Sequence, residues 1–167
     1  MAVNNNITIE GARIVFRNFS GKEGAFNPAG KRNFCVLLDN DLANSLNEDG
    51  WNIKWLNPKD EDDEPQAYIQ VAVNFGAIPP KIVLVTSTGK QTLDEKTVNI
   101  LDWAEIANVD VIIRPYNWEI TNKKEGTKRG VKAYVKAMYV TINEDEFEKK
   151  YSNVPDSAIN TIVDEDE

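Results

Sequence analysis

The strongest constraint on this chain is an alternation near its end. Residues 109 to 120 (VDVIIRPYNWEI) and 131 to 142 (VKAYVKAMYVTI) change character every second residue. That is the period of a β-strand, whose successive side chains point to opposite faces. In the later run Val131, Ala133, Val135, Ala137 and Tyr139 share one face, and Lys132, Tyr134, Lys136 and Met138 share the other. In the earlier run Val109, Val111 and Ile113 lie opposite Arg114, Tyr116 and Trp118. Each strand therefore has an apolar face and a cationic, aromatic one. The polar stretch between them, TNKKEGTKRG, predicts a ten-residue loop that closes a hairpin.

The rest of the chain reads as more strands with little helix. ITIEGARIVFRNF (7 to 19) predicts a long strand bent at Gly11, and the turn-rich GKEGAFNPAG leads into a return strand, KRNFCVLL (31 to 38). Asp39 can cap a short helix through DLANSLNEDG, which brings Leu42 and Leu46 onto one side and stops at Gly50. WNIKWL reads as a strand, and NPKDEDDEP as an exposed acidic loop between Pro58 and Pro65. AYIQVAVNF sends Ile69, Val71, Val73 and Phe75 inward and Tyr68, Gln70, Ala72 and Asn74 outward. KIVLVTS follows the Pro79-Pro80 break, and a short helix is expected around Asp94 to Trp103. The sum is a mainly β fold, an OB-like five-stranded antiparallel barrel with long loops and one or two short helices, over residues 1–142. Residues 143–167 form an acidic C-terminal helix and tail.

Composition excludes several chemistries. Histidine is absent, which removes imidazole bases, catalytic triads and the usual zinc ligands. The single cysteine, Cys35, cannot form an internal disulfide. No metal, cofactor or catalytic residue is expected. STGKQT resembles the end of a phosphate-binding loop, but Leu84 stands where its first glycine belongs and Gln91 where a hydroxyl is required. The acids of residues 60 to 64 are consecutive in a proline-bracketed loop, a poor way to converge on one ion. The opening MAVNNNITIEGARIV lacks a basic, then apolar, leader, and no stretch has the roughly 18 apolar residues of a membrane span. A cytoplasmic protein is expected.

The net charge of −8 argues against a polyanionic ligand until its distribution is read. Residues 11 to 38 hold five basic and one acidic residue, and residues 111 to 142 hold seven basic and two acidic. Acidic stretches separate and follow these two blocks. If the late strands pair, Arg114, Tyr116, Trp118, Lys132, Tyr134 and Lys136 form one surface, with Lys123, Lys124, Lys128 and Arg129 on the connecting loop. Unpaired bases stack on aromatic rings while lysine and arginine neutralise the phosphates, so the surface suits single-stranded DNA. A duplex would hide its base faces. The first block repeats the theme with Arg13, Arg17 and Phe19 on one face, and with Lys22, Phe26, Lys31 and Arg32 beyond; Phe16 and Phe34 suit a core equally well.

Other readings remain open from the residues alone. The rings could simply be cross-strand partners on a sheet surface, the face could dock another polypeptide in a virion or interaction module, or Asp60 and Asp62 could serve a metal-dependent nuclease. The acidic tail suits either a solubilising end or a mobile polyanion that competes with DNA and, once displaced, recruits replication or recombination proteins.

The chain resembles the OB-fold single-stranded DNA-binding proteins of tailed bacteriophages. The likeness lies in ARIVFRNFSGKEGAFNPAGKRNFCVLLD, in GWNIKWLNPKDEDDEPQAYIQVAVNF, and in LDWAEIANVDVIIRPYNWEI followed by GVKAYVKAMYVTI. It covers most of residues 7 to 142 in the same order. The resemblance implies an OB barrel in the host cytoplasm that coats single strands with little sequence preference and protects replication or recombination intermediates. The end departs from bacterial single-strand binders, which finish on a hydrophobic tip; here TIVDEDE puts the hydrophobic residues before the acids.

Overall fold

The computed structural model describes residues 3–24, 27–58, 60 and 62–143. Phe26 and, of the acidic helix and tail expected over residues 143–167, all but Asn143 lie outside the described residues. Along the described chain, β1 (Ile7–Ile9) and β2 (Arg13–Asn18) are the two halves of the bent strand, parted at Gly11. β3 (Arg32–Leu38) returns antiparallel to β2. In α1 (Asn40–Asp49) the Asp39 carboxylate accepts from the Leu42 N–H at 2.8 Å, and Gly50 ends the helix. Then come β4 (Ile53–Leu56), β5 (Gln66–Val73), β6 (Lys81–Thr86) and β7 (Gly89–Leu93). A 3₁₀ helix over Val98–Asp102 precedes β8 (Ile106–Asn122) and β9 (Gly126–Ile142).

The strands form one sheet in the order β1-β8-β9-β5-β3-β2, with β4 beside β5, β6 beside β9, and β7 beside β6. β1 and β2 stand at opposite ends of that order, yet only three residues separate them. The intervening chain reaches at most about 14 Å, so the sheet must roll until its edges approach, and the Ala12 N–H donates to the Val109 carbonyl at 2.7 Å where they do. Taking β2, β3, β5, β8 and β9 as the principal strands, the order is first, second, third, fifth, fourth. This is the partly open Greek-key barrel of the OB type.

Two expectations need correction at this level. The described residues hold nine strands rather than five, because β1, β4, β6 and β7 extend the barrel. The sheet is not wholly antiparallel, since β9 runs parallel to both β5 (Val71 beside Ala133) and β6 (Lys81 beside Ala137). Alternation places a side chain on a face but carries no information about the direction of the neighbouring strand.

The predicted ten-residue loop is also shorter. β8 and β9 stay paired out to Asn122 and Gly126, leaving only residues 123 to 125 as a turn. Asn122 Oδ1 accepts from the Lys124 N–H at 2.8 Å, and Gly126 takes the left-handed φ of 81° that follows such a turn. Each strand is 17 residues long, roughly 55 Å, more than the barrel can cover. Residues 119 to 129 are consequently all exposed, and the hairpin projects as an arm.

Local interactions explain the remaining differences. STGKQT lies in the β6–β7 hairpin, with Thr86 paired to Gly89, and its polar residues carry no alternation that marks β7 as a strand. The helix expected from Asp94 to Trp103 is reduced to the 3₁₀ segment, because the Asp94 carboxylate accepts from the Lys96 N–H and the Thr97 hydroxyl at 2.9 and 3.0 Å and fixes a turn. Those bonds hold the Asp94 carboxyl below its usual range. Met138 belongs to the core, fully buried, instead of sharing the Lys132 face. A bulge explains it: Ile112 pairs with Ala137 and Ile113 with Val135, so Lys136 is the extra residue and the inward phase moves from odd to even.

The core closes between the rolled faces of the sheet under α1 and the 3₁₀ helix. Ile69, Val71 and Val73 point inward from β5 as expected, with Phe75 packed at the margin. Phe19 and Phe34, both fully buried, stack at 5.1 Å between centroids. Cys35 is buried, and that burial pushes its thiol pKa up against a weaker opposing pull from Lys54.

Candidate nucleic-acid interface

The outer face of the sheet around β5 supplies the floor. Gln70 and Ala72 point outward there; Asn33 lies beside Ala72 on β3, and Tyr134 lies beside it on β9. β8 and β9 add three opposed pairs: Arg114 with Tyr134, Tyr116 with Lys132, and Trp118 with Gly130. The alternation read from the sequence therefore assembles on one face. Tyr116 and Tyr134 meet edge to face at 6.0 Å, and Arg114 and Lys132 sit over the Tyr134 ring at 4.8 and 5.4 Å. These contacts set two cations against the ring.

Gly130 has a specific reason to be glycine. A Cβ built there would lie 2.3 Å from Trp118 Cζ2, so the indole rests across a backbone that carries no side chain. Glycine within a strand marks such a close approach. Trp118 stays half-exposed and Tyr116 is 52% exposed, leaving ring surface available.

The first basic block forms the opposite wall. Gly30 N–H donates to Gly21 O at 2.8 Å, and Asn27 Nδ2 donates to Lys22 O, Pro28 O and Lys31 O at 2.9, 3.2 and 2.9 Å. Asn27 Oδ1 accepts from Asn33 Nδ2 at 2.8 Å. One buried-edge amide thus pins the segment carrying Lys31 and Arg32 against the β3 end of the floor. Nothing in the sequence pattern marked Asn27 out among the polar residues of that turn.

Two adjoining depressions, of about 390 and 350 Å³, lie between the walls. Both are lined by Lys31, Arg32, Ala72 and Lys132; Trp118 and Gln70 line the first, and Tyr134 and Phe75 the second. Together they make a groove where the two basic blocks converge. Among the described residues that line it, Glu95 is the one acid. Arg32 Nη1 lies 3.7 Å from Glu95 Oε2, and its guanidinium sits 5.6 Å from the Phe75 ring. Arg32 Nε and Arg114 Nε are buried without a hydrogen-bond partner among the described residues.

Other predicted residues are placed differently. Lys123 and Lys124 are exposed at the tip of the arm, and Lys128 pairs there with Glu125 at 3.3 Å. Arg129 pairs with Glu119 at 2.6 Å and, by strand alternation, occupies the face opposite Lys132. Lys136 is exposed at the bulge. Arg13 is exposed at the far end of the sheet, in a depression shared with Glu10 and Asp39.

Arg17 and Phe19 depart most from the sequence reading. Register shifts between Val15 and Asn18, with Phe16 at a φ of 53°, and alternation is lost. Arg17 Nη1 turns to the 3₁₀ helix and donates to Leu101 O and Ala104 O at 3.0 and 2.8 Å. The Asp102 carboxylate accepts from the Phe19 and Ser20 N–H groups in return. Phe19 becomes core, and Phe16 is left 60% exposed. The acids of the β4–β5 connection, Asp60 and Asp62 to Glu64, are exposed, and among the described residues no His, Cys, Asp or Glu cluster could hold a metal.

A family described as "Putative phage ssDNA-binding domain" matches residues 2–167. The chain belongs to this family. A phage ssDNA-binding domain of this fold has a solved counterpart in the single-stranded DNA-binding protein from bacteriophage Enc34, in a C-terminal truncation. The two share 13% identity over 84% of this chain and 87% of that one, at a TM-score of 0.50, a likeness of fold. The phage ssDNA-binding domain also aligns with gp2.5, a single-stranded DNA-binding protein encoded by bacteriophage T7, at 10% identity over 91% and 95% of the two chains and a TM-score of 0.40. No curated protein matches the chain.

Proposed function

We propose that the domain binds single-stranded DNA in the groove between Lys31–Arg32 and Trp118–Lys132, without strong sequence preference. The observation that carries this is the convergence of two basic blocks, separated in the sequence by residues 39 to 110, on one aromatic-walled groove in a chain of net charge −8. Bases stack on Trp118, Tyr116 and Tyr134, and phosphates are neutralised by Lys31, Arg32, Arg114 and Lys132. The arm, with Lys123, Lys124 and Lys128, reaches over the strand. Lys136 extends the positive surface at one end, and Arg13 lies at the other beside Glu10 and Asp39. OB folds use this part of the barrel for oligonucleotides, the face of the second and third strands between the loops that flank it.

Function follows from occupancy. A coated strand cannot fold on itself or enter a nuclease, and such a protein works without catalysis, protecting replication or recombination intermediates in the cytoplasm of the infected host. The acidic residues that follow Asn143 in the sequence would compete for the groove and be released to basic partners when DNA displaces them.

Titration with oligothymidine at several salt concentrations, read by tryptophan fluorescence, tests the reading. Emission should change on binding, and log K should fall with log salt at a slope of about −0.7 per phosphate neutralised. Absence of any complex at low salt would overturn it.

A further inference from the structure

We propose that Phe16 and Tyr68 form a second base-stacking subsite, which takes the unpaired base of a nucleotide at the end of the strand held in the groove. The inference rests on the groove reading and extends it. Phe16 is the one non-glycine residue with positive φ among the described residues, and its large ring is 60% exposed. Both features oppose stability: a bulky residue at φ 53° is strained, and an exposed phenyl gains nothing from burial. The surrounding contacts impose this state, since Arg17 is anchored to Leu101 O and Ala104 O while Asp102 holds the Phe19 and Ser20 N–H groups. With its neighbours fixed, Phe16 is turned out over Tyr68, the rings edge to face at 6.3 Å.

Position links this pair to the groove. Tyr68 is the next outward residue on β5 before Gln70, which lines the first depression. That step is roughly 7 Å along a strand. The charges also suit a phosphate: Lys54 pairs directly across from Tyr68 on β4, and Arg13 lies across from Leu37, which is itself across from Tyr68. Both cations are exposed. A strand leaving the Trp118 groove along β5 therefore meets the exposed Phe16 ring over a half-buried Tyr68, with Lys54 directly beside it and Arg13 two strands across.

The test is a length series of oligothymidines titrated against the full chain at one low salt concentration, with wild type beside Phe16→Gly, Tyr68→Ala and Trp118→Ala. Lengths of about 4 and about 12 nucleotides bracket a single OB fold. The shorter should bind wild type, Phe16→Gly and Tyr68→Ala alike. The longer should bind Phe16→Gly and Tyr68→Ala about tenfold more weakly than wild type. Phe16→Gly should melt no lower than wild type, because glycine accepts the positive φ, which separates lost stacking from lost folding. Trp118→Ala should weaken both lengths. Wild-type affinity of Phe16→Gly and Tyr68→Ala for the longer oligomer, with Trp118→Ala weakened, would overturn the subsite and leave the groove standing. An equal loss at both lengths would overturn it too, since the rings would then belong to the groove itself. No effect of Trp118→Ala at either length would mean that the groove reading had failed, and its extension with it.

Discussion

β2 and the β8–β9 hairpin look alike in sequence, each alternating aromatic and cationic residues with apolar ones, yet they use those residues in different ways. In the hairpin the ladder is unbroken between the Arg114–Tyr134 and Trp118–Gly130 pairs, and every outward residue of that stretch stays outward; the hairpin's own bulge lies beyond it at Lys136, where Met138 turns inward. In β2 a bulge at Phe16 and Arg17 reverses the phase within two residues. An arginine that alternation assigns to a ligand surface becomes a cap for the 3₁₀ carbonyls, a phenylalanine assigned to the surface becomes core, and its neighbour becomes exposed. One inserted residue changes three roles, because the side-chain period of a strand is two.

The largest effect that can test this contrast is at Phe19. If β2 alternated without interruption, Phe19 would share the face of Arg13 and tolerate truncation. Its complete burial against Phe34 instead predicts that Phe19→Ala costs about 3 to 5 kcal/mol. Chemical denaturation would measure it, and a loss below about 1 kcal/mol would place the ring at the surface. Trp118→Ala should do the converse. Lying half-exposed across Gly130, it should lose about 1 to 3 kcal/mol of oligothymidine affinity while melting close to wild type.

Two cations sharpen the same comparison. Arg17→Ala removes two charge-assisted hydrogen bonds to carbonyls and should lower stability by about 1.5 to 3 kcal/mol, with affinity for short oligomers within about twofold of wild type at temperatures where both are folded. Lys132→Ala should leave stability within about 0.5 kcal/mol, as surface substitutions do, yet reduce the salt slope by about 0.7. Exchanged outcomes would show that the bulge had been assigned to the wrong cation.

The pattern of legible and illegible features has a physical origin. Alternation gave the inward faces of β5 and the outward row of the hairpin, and the capping chemistry of Asp39 and Gly50 bounded α1, because these depend on neighbours within a few residues. The positions of the bulges at Phe16 and Lys136 depend on partners far along the chain, Leu101 and Ala104 for one and the β8 register for the other. The parallel pairing of β9 is a tertiary choice of the same kind. In the groove, Lys31, Arg32, Trp118, Lys132 and Tyr134 were legible as candidates by residue type; Asn27, Phe75 and Glu95 were not, because a polar or apolar loop residue acquires its role only when β3 and β9 come together across β5. Gly130 carried a readable signal, as a glycine inside a run that otherwise reads as strand.

Glu95 offers the smallest and most diagnostic change. It is the sole acid among the described residues lining the groove, and its side chain is 65% exposed, so its pairing with Arg32 at 3.7 Å adds little to stability. The turn held by Asp94 nevertheless places Glu95 at the second depression of the groove in which we propose that phosphates sit. Glu95→Gln keeps the side chain's shape and the backbone carbonyl that accepts from Arg32 Nη2 at 3.5 Å, and removes only the charge. Oligothymidine should then bind about two- to fivefold more tightly at low salt, with the advantage fading as ionic strength rises and shortens the screening length. Weaker binding by the glutamine variant would mean that the carboxylate orients Arg32 toward the strand and does not compete with it, and the first basic block would then resemble β2, with a cation held by the fold, more than it resembles the freely presented lysines of the hairpin.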